Sequence, residues 1–166
     1  MSIFKTKLDY DKVLAEQENE VHLVTRIDAP ELISDVRKPV AFAICLDRSG
    51  SMAEEGKFDY ALQACEGVVK NLRADDLFSL VTFDSEVEVV LPLAKIEDKN
   101  RVCETIRNLS TRGMTNLSGG WEQAKDQLKK AEPVMLKRML LLTDGMANRG
   151  ITDHRELITL VGDGLR

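Results

Sequence analysis

The chain has 166 residues, 43% hydrophobic and 31% charged, a composition that suits a globular domain with a real core and excludes disorder over most of its length. Its formal charge of −5 leaves no basic surplus to neutralise phosphates, which argues against a nucleic-acid partner. No apolar run approaches the roughly 20 residues that a membrane span needs, and the start "MSIFKTKLDYDKVLAEQENE" lacks the apolar stretch of a signal peptide.

Residues 1–20 are polar and weakly patterned. In "VHLVTRI", Val21, Leu23, Thr25 and Ile27 share one face at strand period. "DAPELISDVRKP", with Pro30 and Pro39, reads as a connector. The expectation is therefore a short N-terminal β extension and linker over residues 1–37, ahead of a domain over 38–166. "VAFAICL" is a continuous apolar run of strand length, as expected for a strand buried on both faces, and it discharges into Asp47-Arg48-Ser49-Gly50-Ser51. From Lys57 to Leu72, the apolar residues Phe58, Leu62, Cys65, Val69 and Leu72 recur at helical spacing.

"LFSLVTF" and "VEVVLPL" flank the polar "DSE", two expected strands joined by a tight turn. Val102, Ile106 and Leu109 mark a helical face in "DKNRVCETIRNL", and "RGMTN" is a loop. The next helix carries Leu117, Trp121, Ala124, Leu128 and Ala131, with Pro133 beyond its end and Gly119 and Gly120 in its first turn. "RMLLLT" is a second run expected to be a buried strand, and it too ends in an acid, Asp144. Asp153 and Glu156 are spaced as a capping box for a last helix, with Leu157, Ile158 and Val161 inward. Cys45, Cys65 and Cys103 read as small core residues rather than disulfide partners or metal ligands. Their odd number, without a signal peptide, sets the expectation of a reducing, cytoplasmic location.

Buried strands alternating with amphipathic helices point to an α/β fold: a doubly wound, Rossmann-like, mostly parallel sheet with helices on both faces. Ligands of such sheets bind beyond the carboxyl ends of the strands. Asp47 and Asp144 stand at two of those ends, and a third loop carries Gly113-Met114-Thr115-Asn116. These loops offer carboxylates and hydroxyls without cysteine or imidazole, a set that suits a hard cation: Mg²⁺ first, then Mn²⁺ or Ca²⁺. In an extended loop Asp47, Ser49 and Ser51 share one side and Arg48 the other, while Gly50 lets the backbone pass close to an ion. Taken alone, Asp-x-Ser-x-Ser is as much a turn or helix-capping signature as a metal loop.

In "AFAICLDRSGSM", "GMTNLSGG" and "MLLLTDG", in that order, the sequence resembles the von Willebrand factor type A domain over residues 38–165. "ENEVHLVTRIDAPE" and "TDGMANRGITD" are similar to a bacterial group of that family with a short β segment before the domain. The resemblance implies a metal-ion-dependent adhesion site with Ser49, Ser51 and Thr115 as hydroxyl ligands. Asp47 and Asp144 would bind the ion directly or through water. It also implies a protein partner that supplies an Asp or Glu to the metal, and no catalysis. Asn148 and Arg149 would rim the same face, either touching the partner or capping the loop. The family's sheet runs to six strands in the order 3-2-1-4-5-6. This chain stops after the helix that follows the fourth. It is expected to be a fragment truncated there, with "RMLLLT" as a hydrophobic edge unless a segment such as "VHLVTRI" covers it.

The competing reading is a Mg²⁺-dependent phosphatase or phosphotransferase with a strand-end Asp as nucleophile. That chemistry wants a second carboxylate two residues on as acid and base, and Ser49 stands there. Nucleotide-binding glycine patterns are absent as well.

Overall fold

A computed structural model describes residues 4–8, 23–27, 37–145 and 148–164. The chain divides into two compact units, Met1–Arg37 and Lys38–Arg166.

In the first unit, β1 (Phe4–Leu8) pairs antiparallel with β2 (Leu23–Ile27), Phe4 opposite Ile27 and Leu8 opposite Leu23. Val21 and His22, part of the run expected as a strand, lie outside the described residues. The β1 strand was not expected. Its alternation, Phe4-Lys5-Thr6-Lys7-Leu8, is short and sits in a stretch dominated by charge.

The second unit runs β3 (Val40–Asp47), a 3₁₀ segment (Gly50–Gly56), α1 (Lys57–Asn71), β4 (Leu77–Phe83), β5 (Val87–Lys95), α2 (Lys99–Arg107), α3 (Leu117–Lys129), β6 (Leu136–Leu142) and α4 (His154–Gly164). The sheet order is β5-β4-β3-β6. Strands β4 and β6 flank β3 in parallel, and β5 pairs antiparallel with β4. Numbered within the unit, the order is 3-2-1-4, the first part of the expected arrangement. Pro92 is exposed on β5, an outer strand, where its missing N–H breaks no ladder.

Strand β3 is buried because helices cover both sides of it. Ile44 and Leu46 meet Phe58, Cys65 and Val69 of α1 and Ile106 of α2. Ala41, Ala43 and Cys45 alternate onto the other face, against Ala124 and Leu128 of α3. The doubly wound α/β expectation is met. Small residues set the approach of α3: a Cβ at Gly120 would lie 2.5 Å from Phe83 Cδ1 and 3.0 Å from Phe83 Cβ. All three cysteines are free and buried. Burial pushes the Cys65 thiol up to about 12 and raises Cys45 further, so both stay protonated at neutral pH.

Three expectations need correction. Strand β6 is not buried on both faces: Leu136–Arg138 are exposed and Met139–Leu142 half-buried. Among the described residues it has a sheet neighbour only in β3, so of the two expectations for this run, a buried strand and a hydrophobic edge, the described residues fit the edge. On α4, Leu157 packs against the α3-side core, but Ile158 is 59% exposed. Trp121 is half-buried and belongs to neither core cluster. At the start of α4, Asp153 Oδ1 accepts the N–H groups of Arg155 and Glu156, one half of the expected capping box.

A bidentate ion pair joins the helices on one face: Arg107 Nε and Nη2 donate to Glu66 at 2.7 and 2.8 Å, with Lys70 at 3.1 Å. Hydrogen bonds from Arg107 and Lys70 hold the Glu66 carboxyl near 2, against an ordinary 4.5. A lowered carboxylate pKa adds stability that is complete above the unfolded-state value and is lost as pH falls through the folded one. The wild-type advantage over Glu66→Gln is therefore expected to be constant above about pH 4.5 and to vanish towards pH 2. Denaturant midpoints of the two proteins across that range check it.

Candidate metal centre

Parallel register brings the strand ends together. Asp47 stands opposite Phe83 of β4, and Leu46 opposite Leu142 of β6, so the loops after β3 and β6 emerge side by side. Asp47 is fully buried. Its Oδ1 accepts the N–H of Ser49 at 2.8 Å, an Asx-type turn, and its Oδ2 accepts the hydroxyl of Thr143 at 2.6 Å. Ser49 is extended (φ −61°, ψ 163°), and its Oγ lies 3.3 Å from Ser51 Oγ. The buried Arg48 turns to the β4–β5 turn instead, donating to Asp84 Oδ2 at 2.7 Å and Glu88 Oε2 at 2.8 Å. Gly50 donates to Gly113 O at 3.1 Å. A Cβ there would meet that oxygen at an ordinary 3.6 Å, so crowding does not demand the glycine.

The loop before α3 is zipped to this one, since Arg112 N–H also donates to Arg48 O, at 2.6 Å. Gly113 has φ +70°, and a Cβ on it would sit 2.7 Å from Ser85 Oγ, which instead accepts Met114 N–H. Met114 is 49% exposed, whereas Met52 packs in the core. Thr115 is fully buried. Its N–H donates to Asn148 Oδ1 at 2.8 Å, and its carbonyl accepts Asn148 N–H and Arg149 N–H. Through these bonds Asn148 and Arg149 cap the Thr115 loop. The Thr115 Oγ1 atom, by contrast, is buried with no hydrogen-bond partner among the described residues.

In the third loop Gly145 (φ +82°) folds back so that its N–H donates to Thr143 Oγ1 at 3.1 Å. Asp144 is 10% exposed, and Lys57 Nζ approaches its Oδ2 to 3.6 Å. The structure thus ties the three loops holding Asp47, Ser49, Ser51, Thr115 and Asp144 into one cluster at the sheet's carboxyl edge. Among the described residues no group of three or more His, Cys, Asp and Glu side chains could hold a metal by itself. The cluster offers the hydroxyls of Ser49, Ser51 and Thr115 beside the carboxylates of Asp47 and Asp144.

Two residues that the sequence reading passed over matter here. Asp84, read only as part of a turn, accepts from Arg48, Arg112 and Glu86 N–H, and its carbonyl accepts Asn116 N–H. Burial alone would raise the Asp84 carboxyl, but the hydrogen bonds from Arg112, Glu86 N–H and Arg48 outweigh it and hold the group below the ordinary range. The second is Lys57. Its one sequence signal is a cation placed at the start of a helix, against the dipole.

Residues 42–147 match the family model of the von Willebrand factor type A domain. The chain is 31% identical over 147 residues to inter-alpha-trypsin inhibitor heavy chain H1 of Sus scrofa, covering 83% of this chain and 16% of that protein. It is 28% identical over 146 residues to the uncharacterized protein YfbK of Escherichia coli K12, covering 86% of this chain and 25% of that one. The chain thus spans a quarter or less of the length of either relative. Among solved structures, proximal thread matrix protein 1 of the mussel byssus, with a zinc-occupied MIDAS motif, superposes with a TM-score of 0.61 at 20% identity, over 78% of this chain and 36% of that one. The vWF domain of the type V pili tip protein Mfa5 of Porphyromonas gingivalis gives 0.60 at 24% identity, over 68% and 40%. At these identities the superpositions carry the fold alone.

Proposed function

The chain belongs to the von Willebrand factor type A domain family, which commonly mediates metal-dependent protein interaction, and from that premise we propose that the unit Lys38–Arg166 captures an acidic residue of a protein partner through a divalent cation. The hydroxyls of Ser49, Ser51 and Thr115 would hold the ion. Asp47 and Asp144 would act directly or through water. The observation that carries this reading is the fully buried Thr115 Oγ1 without a hydrogen-bond partner among the described residues. Leaving a buried hydroxyl unsatisfied costs about 1–3 kcal/mol, and a cation at that oxygen would offset the cost. Oxygen-only donors favour Mg²⁺, with Mn²⁺ and Ca²⁺ also suited. A bound ion would supply an electrophilic, open coordination position for a carboxylate.

The chain's own residues prepare that position. Asp47 is held by Ser49 N–H and Thr143, and the backbone of Thr115 is clamped by Asn148 and Arg149. Both oxygens of Asp47 are engaged, which favours a binding role over that of a phosphoryl-accepting nucleophile.

Immobilised protein challenged with short synthetic peptides rich in Asp and Glu tests the proposal. Retention is expected with Mg²⁺, and loss is expected with chelator, in Thr115→Val, and for the Asn/Gln versions of the peptides. Peptide retention indifferent to chelator would overturn it.

A further inference from the structure

Building on that reading of the site, we propose that Lys57 is a resident counter-charge that sets how weakly or tightly the centre holds a divalent cation. Its ammonium stands 3.6 Å from Oδ2 of the largely buried Asp144, and 4.0 Å from the exposed carboxylate of Glu54. The placement is unfavourable for the helix itself. Lys57 is the first residue of α1, and the N-cap, Gly56, sits at φ +71° with no side-chain cap. A cation there opposes the helix dipole, where an acidic or neutral residue is the ordinary choice. A local conflict of this kind is expected where a side chain serves a site rather than the fold.

A cleft of about 360 Å³ between α1 and β6 is lined by Lys57, Tyr60, Ala64, Leu141 and Asp144, so the ammonium has room to withdraw. Without an ion, Lys57 neutralises Asp144. With one, two cations share that carboxylate, and the Lys57 charge lowers divalent affinity. A unit charge one side chain away from a divalent ion changes its binding constant by about tenfold even at the dielectric of water.

The test is calorimetric titration of Mn²⁺, at fixed ionic strength, into the wild type, Lys57→Met, Lys57→Gln, Lys57→Arg and Asp47→Ala. The Met and Gln variants are expected to bind about tenfold more tightly, and the Arg variant close to wild type. Because Asp144 loses its neutralising partner in the Met and Gln variants, their metal-free melting temperatures should fall modestly while ion affinity rises, and these opposite signs separate an effect on the ion from one on the fold. An Asp47-dependent site indifferent to Lys57, or weakened by Lys57→Met, overturns the proposal alone. Binding that survives Asp47→Ala overturns the underlying site as well. If the wild type binds no Mn²⁺, binding gained in Lys57→Met supports the proposal and none in either overturns it.

Discussion

Mg²⁺ or Mn²⁺ is expected to raise the melting temperature of the wild-type chain, and Asp47→Ala to abolish that rise. A ligand at a hundred times its dissociation constant stabilises the folded state by about 2.7 kcal/mol. For a chain of this length that is a shift of roughly 5–10 °C. Asp47→Ala also removes the acceptor for Ser49 N–H and Thr143, so its metal-free stability should fall too. Thr115→Val is the sharper partner to that experiment, because its two effects have opposite signs. Valine keeps the volume but deletes the partnerless buried oxygen. The metal-free protein should therefore gain about 1 kcal/mol while its response to the ion shrinks. Scanning calorimetry with and without metal on the three proteins decides the matter. A full metal response in either variant would remove that residue from the site.

The second large effect is expected from Arg48→Met. The Arg48 and Asp84 side chains are 7% and 3% exposed and meet at 2.7 Å. Breaking a buried ion pair from one side leaves an uncompensated charge and costs about 3–5 kcal/mol. The expected loss lies near the lower end, about 3 kcal/mol, because Arg112 still reaches Asp84 at 2.9 Å. Arg112 is 54% exposed, so solvent screens its pairing and Arg112→Met should cost clearly less than Arg48→Met. Urea unfolding of the two variants checks the ordering, and equal losses would show that burial is not what makes the Arg48 pair matter.

The parts of this molecule legible in sequence are those governed by short-range periodicity. "VAFAICL" had to be buried on both faces, and α1 and α3 announced their inner faces at three- and four-residue spacing. Asp47 and Asp144 could be assigned to the same edge because parallel strands put their carboxyl ends on one side. What stayed hidden depends on neighbours distant in the chain. The apolar "RMLLLT" reads as core by its own pattern and as an edge only through the family resemblance, because how much of a strand is buried depends on what lies beside it. Ile158 sits on the expected helical face but at its outer margin. No local pattern distinguishes the Asp84 that gathers two arginines from an ordinary turn residue. Whether a hydroxyl is partnerless is invisible until the fold surrounds it.

The hydrogen bond from Thr143 to Asp47 spans 96 residues. Contacts of such sequence separation close a long loop before they are rewarded, and this one depends on the parallel pairing of β6 with β3 that brings the two residues together. No fragment of local structure can therefore preassemble this corner of the protein, and it should complete itself only after the sheet has its order. Stabilisation gained there would be absent from an early folding transition state. It would slow unfolding while leaving the folding rate nearly unchanged, so the corner governs how long the native state persists rather than how quickly it forms.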